Sequence, residues 1–328
     1  MDKRKIGDSE VLPLGLGCWA IGGLFWEGDK PLGWGKVDDS ESIKAIQHAV
    51  DNGISFIDTA NIYGAGHSEK VISQAIKGRR DDVVLSSKFG FDADESTKQV
   101  LGLFTRPKEI ASMCEASLRR LETDYLDVYF FHINDFNVNE IGPIADTLDS
   151  LVKEGKIRSY GWSTDSLENA KALVNRSGYA AVQFESNVLN PNTPMTQMCD
   201  QMSIAGVNRG PLAMGLLSGK YTNGSVLSES DIRKVSPDWM VYFKDGKPSK
   251  ELVDRMNSIR EILTSNNRTL IQGALAWLWA NGSNNIPIPG FRTLDQISSN
   301  IQALDKGALN NSQMQEIQSL LYPEYEPI

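Results

Sequence analysis

Two short apolar runs, separated by a helix-like segment, place the strongest constraint on the fold of this chain. The runs span residues 54–60 and 83–88, and the helical pattern between them continues to Lys77. Strands joined by a helical crossover pair in parallel. Because parallel strands end at the same edge of a sheet, we expect Asp58 and Lys88, which lie at the ends of the two runs, to be neighbours.

Asp58, Lys88 and Tyr63, which lies on the loop after Asp58, are residue types that can transfer protons together. A free tyrosine has a pKa of about 10, and a cation within about 4 Å lowers that pKa by roughly one to three units. We expect Lys88 to supply this cation. Asp58 is needed to keep the ammonium charged and aimed, because burial alone favours its neutral form. The alternative is a structural ion pair with Tyr63 packed beside it.

Strand and helix patterns alternate along the whole chain. Eight strands alternating with helices favour a (β/α)8 barrel over an open doubly wound sheet. We predict a single domain over residues 1–328, with an amino-terminal hairpin of residues 3–6 and 11–14 that plugs one end of the barrel. The predicted strands are 15–19, 54–60, 83–88, 125–131, 159–163, 181–185, 207–210 and 285–289. The predicted helices are 39–52, 68–77, 106–121, 144–154, 167–175, 194–205, 251–263, 269–280 and 293–303, followed by a tail. The predicted long loops, at the carboxyl ends of the strands, are 20–39, 89–105 and 211–248.

Residues 15–20, Gly-Leu-Gly-Cys-Trp-Ala, match the dinucleotide-binding pattern GxGxxA. That pattern must open a helix whose amino terminus holds the pyrophosphate. Here a glycine-rich loop follows instead. We therefore interpret residues 15–19 as the first strand of the barrel and not as a Rossmann fingerprint.

A fourth titratable residue, His132, follows the buried-strand pattern 125–131. A histidine after an apolar run is usually a hydrogen-bonded core residue, but in a barrel it shares the rim with the other strand ends. The segments around Asp58, Tyr63, Lys88 and His132 resemble the aldo-keto reductases. In that family Asp, Tyr, Lys and His form a catalytic tetrad in this order.

The resemblance implies a nicotinamide cofactor on the same rim, NADP in preference to NAD. Arg292 is expected to bind the 2′-phosphate of NADP, and Gln296 stands where many relatives have a second arginine. Arg209 stands where many members have an aromatic that stacks on the nicotinamide; a guanidinium also stacks, and a salt bridge to a rim carboxylate is the alternative. The expected cofactor contacts are Trp19, Ser163, Thr164, Gln183, Arg209, Gly210, Pro211, Leu212, Gly215, Leu217, Ser218, Lys220, Gly290, Phe291, Arg292, Gln296 and Asn300.

The implied activity is the reduction of an aldehyde or ketone to an alcohol by hydride transfer. Tyr63 is expected to give the proton, Asp58 and Lys88 to tune it, and His132 to orient the carbonyl oxygen. A cofactor-sensing regulatory subunit, such as the potassium-channel beta subunits of the same superfamily, is one alternative, and a barrel hydrolase or lyase is another. The substrate stays open among sugars, polyketide ketones and simple aldehydes, and so does the oligomeric state.

Composition limits the possible partners. A net charge of -9 and a pI near 5.0 argue against nucleic acid and anionic membranes, which require a basic surface. No apolar run approaches the length of a membrane span and no signal peptide is apparent, so we expect a soluble, cytoplasmic protein. The three cysteines include no close pair, which favours a reducing compartment. No metal-binding motif is present, and no metal is expected.

Overall fold

Eight parallel strands form the central sheet of the computed structural model, which describes residues 1–221, 225 and 227–322. In chain order the strands of the described residues are β1 (Arg4–Ile6), β2 (Ser9–Val11), β3 (Gly15–Gly17), β4 (Phe25–Glu27), β5 (Lys30–Leu32), β6 (Phe56–Asp58), β7 (Val84–Phe89), β8 (Phe91–Ala93), β9 (Val100–Leu103), β10 (Leu126–Phe131), β11 (Ile157–Ser163), β12 (Tyr179–Glu185), β13 (Ala205–Arg209), β14 (Phe243–Lys244), β15 (Lys247–Pro248) and β16 (Asn285–Pro287). The central sheet has the order β3, β6, β7, β10, β11, β12, β13, β16, so neighbours along it follow the order of the chain.

The two ends of this sheet meet and bring the barrel to closure. Gly17 at the end of β3 forms a parallel bridge with Gly290, beyond β16, and its N–H donates to the Pro289 carbonyl over 3.2 Å. A Cβ atom on Gly17 would lie 2.5 Å from the Ile288 carbonyl oxygen, so only glycine permits this approach. The predicted (β/α)8 barrel is confirmed.

The barrel interior is filled by apolar side chains that alternate along the strands. Phe56, Phe130 and Val207 belong to this interior cluster. Ile6 and Val11 of the β1–β2 hairpin pack in the same cluster, so the hairpin closes one end of the barrel, as predicted. Its second strand is Ser9–Val11 and not residues 11–14, because the turn at residues 7–8 is tighter than predicted. The opposite, carboxyl end of the strands therefore remains for a site.

Helices cover the outside of the barrel, and their apolar faces pack on the outer faces of the strands. They are α1 (Asp39–Asp51), α2 (His67–Ala75), α3 (Pro107–Leu121), α4 (Ile141–Lys153), α5 (Leu167–Lys171), α6 (Thr193–Met202), α7 (Ile232–Val235), α8 (Lys250–Ser258), α9 (Arg260–Thr264), α10 (Leu270–Asn281), α11 (Leu294–Lys306) and α12 (Asn311–Leu321). None of the helices in the described part of the chain is long and apolar enough to cross a membrane.

Several local predictions were wrong. The predicted loops contain the hairpins β4–β5, β8–β9 and β14–β15, whose strands of two to four residues are too short to show a clear alternation. The predicted tail contains α12, which starts with a capping box between Asn310 and Gln313. The predicted helix 251–263 breaks at Ile259 into α8 and α9. Residues 222–224 and 226 of the predicted loop 211–248, and residues 323–328 of the predicted tail, lie outside the described residues.

Replacing Gly17 with alanine tests the closure of the barrel. We expect Gly17→Ala to lower the free energy of unfolding by about 2 kcal/mol, because the added methyl group collides with backbone that cannot move freely. Gly142→Ala is the matched control. Gly142 lies in helix α4, and a Cβ atom added there would meet no other atom within 4 Å. The control should be neutral or stabilising by about 0.5–1 kcal/mol. Urea unfolding measures both changes, and equal effects would contradict the proposed contact.

Candidate active site

A fully buried ion pair lies at the carboxyl ends of β6 and β7. The Lys88 ammonium donates to Asp58 Oδ2 over 2.6 Å and to the Thr59 carbonyl over 2.7 Å. Lys88 is 0% exposed and Asp58 2% exposed. The two strands pair in parallel with Asp58 opposite Ser86, which brings the Lys88 side chain within reach of the carboxylate. The sequence-based expectation that the two strand ends meet is therefore met.

The second oxygen of the Asp58 carboxylate also has partners. Asp58 Oδ1 accepts from Ser86 Oγ at 2.8 Å and from Gln183 Nε2 at 2.9 Å. Burial lowers the pKa of Lys88, but the negative charge of Asp58 and the nearby Tyr63 hydroxyl outweigh it and leave that pKa above its ordinary value. Lys88 therefore stays an ammonium throughout the neutral range, as expected from the sequence.

Tyr63 lies next to this pair. Its hydroxyl is 3.4 Å from Lys88 Nζ, and the ammonium lies 4.9 Å from the centre of its ring. Burial raises the pKa of Tyr63, and the positive charge of Lys88 only partly opposes the rise. The prediction that Lys88 lowers this pKa below the value of a free tyrosine was wrong, because desolvation of the phenolate is the larger effect. Tyr63 is consequently a neutral phenol that retains its proton.

His132 packs edge-on against the Tyr63 ring, with ring centres 6.1 Å apart and an interplanar angle of 87°. Burial, together with the positive charges of Lys88 and Arg209, lowers the pKa of His132 well below its ordinary value. The imidazole is therefore neutral near pH 7. Its Nδ1 atom is buried and has no hydrogen-bond partner among the described residues.

A cavity of about 330 Å³ extends from Asp58 and Tyr63 across the carboxyl end of the barrel. Most of the residues predicted to bind the cofactor line it. They are Trp19, Gln183, Arg209, Gly210, Pro211, Leu212, Gly215, Ser218, Lys220, Gly290, Phe291, Arg292, Gln296 and Asn300. The cavity thus connects Asp58 and Tyr63 to the segment 290–300, which lies far from them in the sequence.

Three of the predicted cofactor contacts do not line this cavity. Leu217 is fully buried in the apolar core. The hydroxyl of Thr164 donates to the Asn134 carbonyl at 2.7 Å, so it supports the loop after β10. Ser163 lies beside Gln183, with 3.5 Å between Ser163 Oγ and Gln183 Oε1. Ser163 therefore contacts a residue of the cavity and not the cavity itself.

Two arginines of the cavity already have protein partners. The Arg209 guanidinium forms ion pairs with Asp165 and Glu185, which is the salt-bridge alternative weighed for this residue. The Arg292 guanidinium donates to the carbonyl oxygens of Trp34, at 3.1 Å, and Lys36. Each guanidinium has five N–H groups, so both keep donors for a further anion.

Arg233 was missed in the sequence, although it lines the cavity. It is buried, pairs with Asp231, donates to the Tyr221 hydroxyl, and lies 4.9 Å above the ring of Trp34. The surrounding residues 211–248 show no regular periodicity, so no helix or strand pattern draws attention to it. The helix N-cap Asp231, two residues earlier, is a signal that could have located it.

The lining of the cavity fits an elongated anionic cofactor with a polar ring. Arg209, Lys220, Arg233 and Arg292 supply positive charge along it. The amide nitrogen of Asn300 is buried and has no hydrogen-bond partner among the described residues, so it is a donor still to be satisfied. Among the described residues, no group of three or more His, Cys, Asp or Glu is placed to hold a metal ion.

The barrel therefore places a buried carboxylate, ammonium and phenol next to a cation-lined cavity that can hold an anionic molecule. The Aldo/keto reductase family model matches residues 13–322. The chain is 29% identical over 323 residues to the aldo-keto reductase yakc (NADP(+)) of Schizosaccharomyces pombe, covering 96% of this chain and 89% of that protein.

Solved structures show the same similarity. A glycerol dehydrogenase from Gluconobacter oxydans has a TM-score of 0.82 and 26% identity, covering 100% of this chain and 97% of that one. An aldo/keto reductase from Klebsiella pneumoniae, solved in complex with NADP and acetate, has a TM-score of 0.70 and 25% identity, covering 100% and 98%. The chain belongs to the aldo/keto reductase family and is an oxidoreductase, which confirms the resemblance seen in its motifs.

Replacing Asp58 with asparagine tests the ion pair. Without the negative charge of Asp58, burial is the largest effect on the pKa of Lys88. That pKa in the folded variant therefore falls below its value in the unfolded chain. We expect the free energy of unfolding to fall by about 3–5 kcal/mol near pH 7. The unfolded state of the variant then binds more protons than the folded state, so the free energy of unfolding of the variant rises with pH. The difference in this free energy between variant and wild type narrows toward about pH 9.5.

Urea unfolding at the two pH values measures this difference. Asp254→Asn is the control, because it breaks the exposed pair of Lys250 and Asp254 and should cost less than about 0.5 kcal/mol at either pH. A difference for Asp58→Asn that does not change with pH would contradict the expected titration of Lys88.

Proposed function

We propose that this protein reduces the carbonyl group of a small aldehyde or ketone with NADPH, and that Tyr63 donates the proton. One observation carries the proposal. The Tyr63 hydroxyl lies 3.4 Å from the buried Lys88 ammonium, and Tyr63 lines the same cavity as Lys220, Arg233 and Arg292. A proton donor and a place for an anionic cofactor therefore share one space.

NADPH, when bound, supplies a hydride to the carbonyl carbon. Tyr63 gives its proton to the oxygen on which negative charge develops. The raised pKa of Tyr63 keeps that proton in place until the charge appears, and Lys88 stabilises the phenolate that remains. His132, as a neutral imidazole, donates a hydrogen bond that orients the carbonyl oxygen.

Several residues support NADP as the cofactor. Gln183, held by Asp58, has an amide suited to the carboxamide of a nicotinamide, and Asn300 has a buried amide nitrogen that needs an acceptor. Lys220 and Arg233 suit the pyrophosphate, and Arg292 keeps donors for a 2′-phosphate. The yeast relative is named for NADP(+), and the Klebsiella pneumoniae structure contains NADP.

Aromatic side chains surround the place proposed for the substrate. Trp19 stacks on Tyr63 with ring centres 6.0 Å apart, Trp34 meets Trp19 edge-on at 5.5 Å, and Trp239 lies 6.2 Å from Trp19. Flat apolar walls of this kind favour a substrate with an apolar face over a compact, highly charged one.

Replacing Tyr63 with phenylalanine tests the proton donor. We expect kcat for carbonyl reduction to fall by about 10²–10⁴-fold, because the variant has no acidic hydrogen at this position. The dissociation constant of NADPH, measured by quenching of tryptophan fluorescence, should change less than about twofold. Tyr125 is half-buried just before β10, its hydroxyl donates to Asp81 at 3.5 Å, and it does not line the cavity, so Tyr125→Phe should leave both values unchanged.

Full turnover by Tyr63→Phe would refute the assignment. NADPH binding by the wild-type protein without oxidation by any member of a carbonyl panel would instead favour a cofactor-sensing subunit.

Replacing Arg292 with glutamine tests the preference for NADP. Loss of a charge-assisted hydrogen bond to the 2′-phosphate is expected to raise the dissociation constant of NADPH by about tenfold or more. NADH lacks this phosphate and serves as the internal control, with an expected change of less than about twofold. Fluorescence titration gives both constants. An equal loss for both cofactors would show that Arg292 acts by holding Trp34 and Lys36 and not by binding the phosphate.

A further inference from the structure

Glu69, in the first turn of α2, has a fully buried carboxylate. It is not among the residues that line the cavity, and it is not part of the Asp58–Lys88 ion pair. Its Oε1 atom accepts from Ser87 Oγ at 2.5 Å, and its Oε2 atom accepts from Arg120 Nε at 2.5 Å. A buried carboxylate is costly unless it is paired and hydrogen-bonded. Both oxygens of Glu69 meet that requirement, and one of the partners immediately precedes Lys88.

The start of α2 is also bound to the loop that carries Tyr63. The Ser68 N–H donates to the Tyr63 carbonyl at 3.2 Å. The Ser68 hydroxyl donates to the Cys18 carbonyl at 2.9 Å and accepts from the Thr59 hydroxyl at 2.8 Å. Residues 68 and 69 therefore contact the chain next to Asp58, next to Lys88 and at Tyr63.

Arg120 fixes this arrangement from α3. Its side chain is only 12% exposed, and burial alone would lower its pKa, but Glu69 and Glu95 more than offset this and raise the pKa of Arg120. The stem packs against Gly66, which precedes α2 with φ 84°; a Cβ atom there would lie 2.5 Å from Arg120 Cδ. Glycine is thus required at this position both for its backbone conformation and for the close approach of the arginine.

The same arginine reaches the β8–β9 hairpin. Arg120 Nη1 donates to Glu95 Oε1 at 3.0 Å, and Lys70 donates to the other oxygen of Glu95 at 2.6 Å. Phe91 in this hairpin lies edge-on to His132, with ring centres 6.3 Å apart. The Glu69–Arg120 pair is thus linked to the neighbours of Tyr63 and Lys88 and, through the β8–β9 hairpin, to a neighbour of His132.

We propose that Glu69 and Arg120 form a positioning pair, which holds the Tyr63 loop and the end of β7 at the separation that proton transfer requires. This inference rests on the proposed reductase function. Neither residue touches the cavity at the tetrad, so the pair acts through Ser68, Ser87 and Gly66. Displacements of about 1 Å at a catalytic group reduce rates by as much as 10²-fold, which sets the scale of the effect.

The decisive variant is Glu69→Gln, which keeps the size of the side chain and removes its charge. Asp127→Asn is the matched control. Asp127 Oδ2 accepts from Arg80 Nη2 and from the Leu85 N–H, both at 2.8 Å, so it joins the start of β10 to the amino end of β7, away from the site. Both variants should lower the thermal midpoint of unfolding. Ser87→Ala, which removes one bond to Glu69 and leaves no unpaired charge, serves if Glu69→Gln does not fold.

The readouts separate positioning from stability. For Glu69→Gln we expect kcat to fall about tenfold to 100-fold with KM changed less than about threefold. The pKa of Tyr63, followed through its ring carbon signals by NMR, should rise as Lys88 moves away. Ser87→Ala should show the same changes to a smaller extent, and Asp127→Asn should show neither.

A kcat of Glu69→Gln or Ser87→Ala within twofold of the wild-type value, together with an unchanged pKa of Tyr63, would overturn the proposal. An equal loss of kcat in Asp127→Asn would also overturn it. A wild-type protein that reduced no carbonyl would refute the proposed function instead. In that case the NMR titration of Tyr63 still decides whether the pair positions it.

Discussion

Burial of the Asp58–Lys88 ion pair is the constraint on which the site depends. Removing two charges from water costs several kcal/mol for each, so a buried pair persists only when its remaining hydrogen-bonding groups are satisfied. Ser86 and Gln183 satisfy the carboxylate, and the Thr59 carbonyl satisfies the ammonium. Ser86 comes from the neighbouring strand β7, Thr59 follows β6, and Gln183 comes from β12 across the barrel, so the pair depends on the barrel to bring its partners together.

The balance between burial and neighbouring charges sets the protonation state of each titratable side chain in the site. Burial raises the pKa of Tyr63 and lowers that of His132, so both are neutral near pH 7, while Asp58 keeps Lys88 charged. Two neutral hydrogen-bond donors beside one fixed cation suit a carbonyl oxygen that becomes negative during reduction. In the proposed reaction, the phenol keeps its proton in the resting site, and Lys88 assists only as that proton leaves.

The sequence predicted what depends on strand order, and it failed where contacts depend on packing. Asp58, Lys88 and His132 end parallel strands, so their common edge follows from the βα alternation. The direction of the Tyr63 pKa depends on how deeply the ring is buried, which residue spacing does not encode. Arg233 lies in a segment without periodicity, and the partners of Glu69 are 18 and 51 residues away on other elements. No local pattern reports such contacts.

Titration of Tyr63 in the wild-type protein and in Lys88→Met tests the central relation most directly. Tyrosine labelled at its ring carbon, with Tyr63 assigned through Tyr63→Phe, gives its pKa by NMR. We expect a wild-type pKa above that of free tyrosine, and a still higher value in Lys88→Met, because the opposing positive charge is lost. A wild-type value below that of free tyrosine, or a value unaffected by the loss of Lys88, would contradict the coupling of phenol and ammonium on which the proposed chemistry depends.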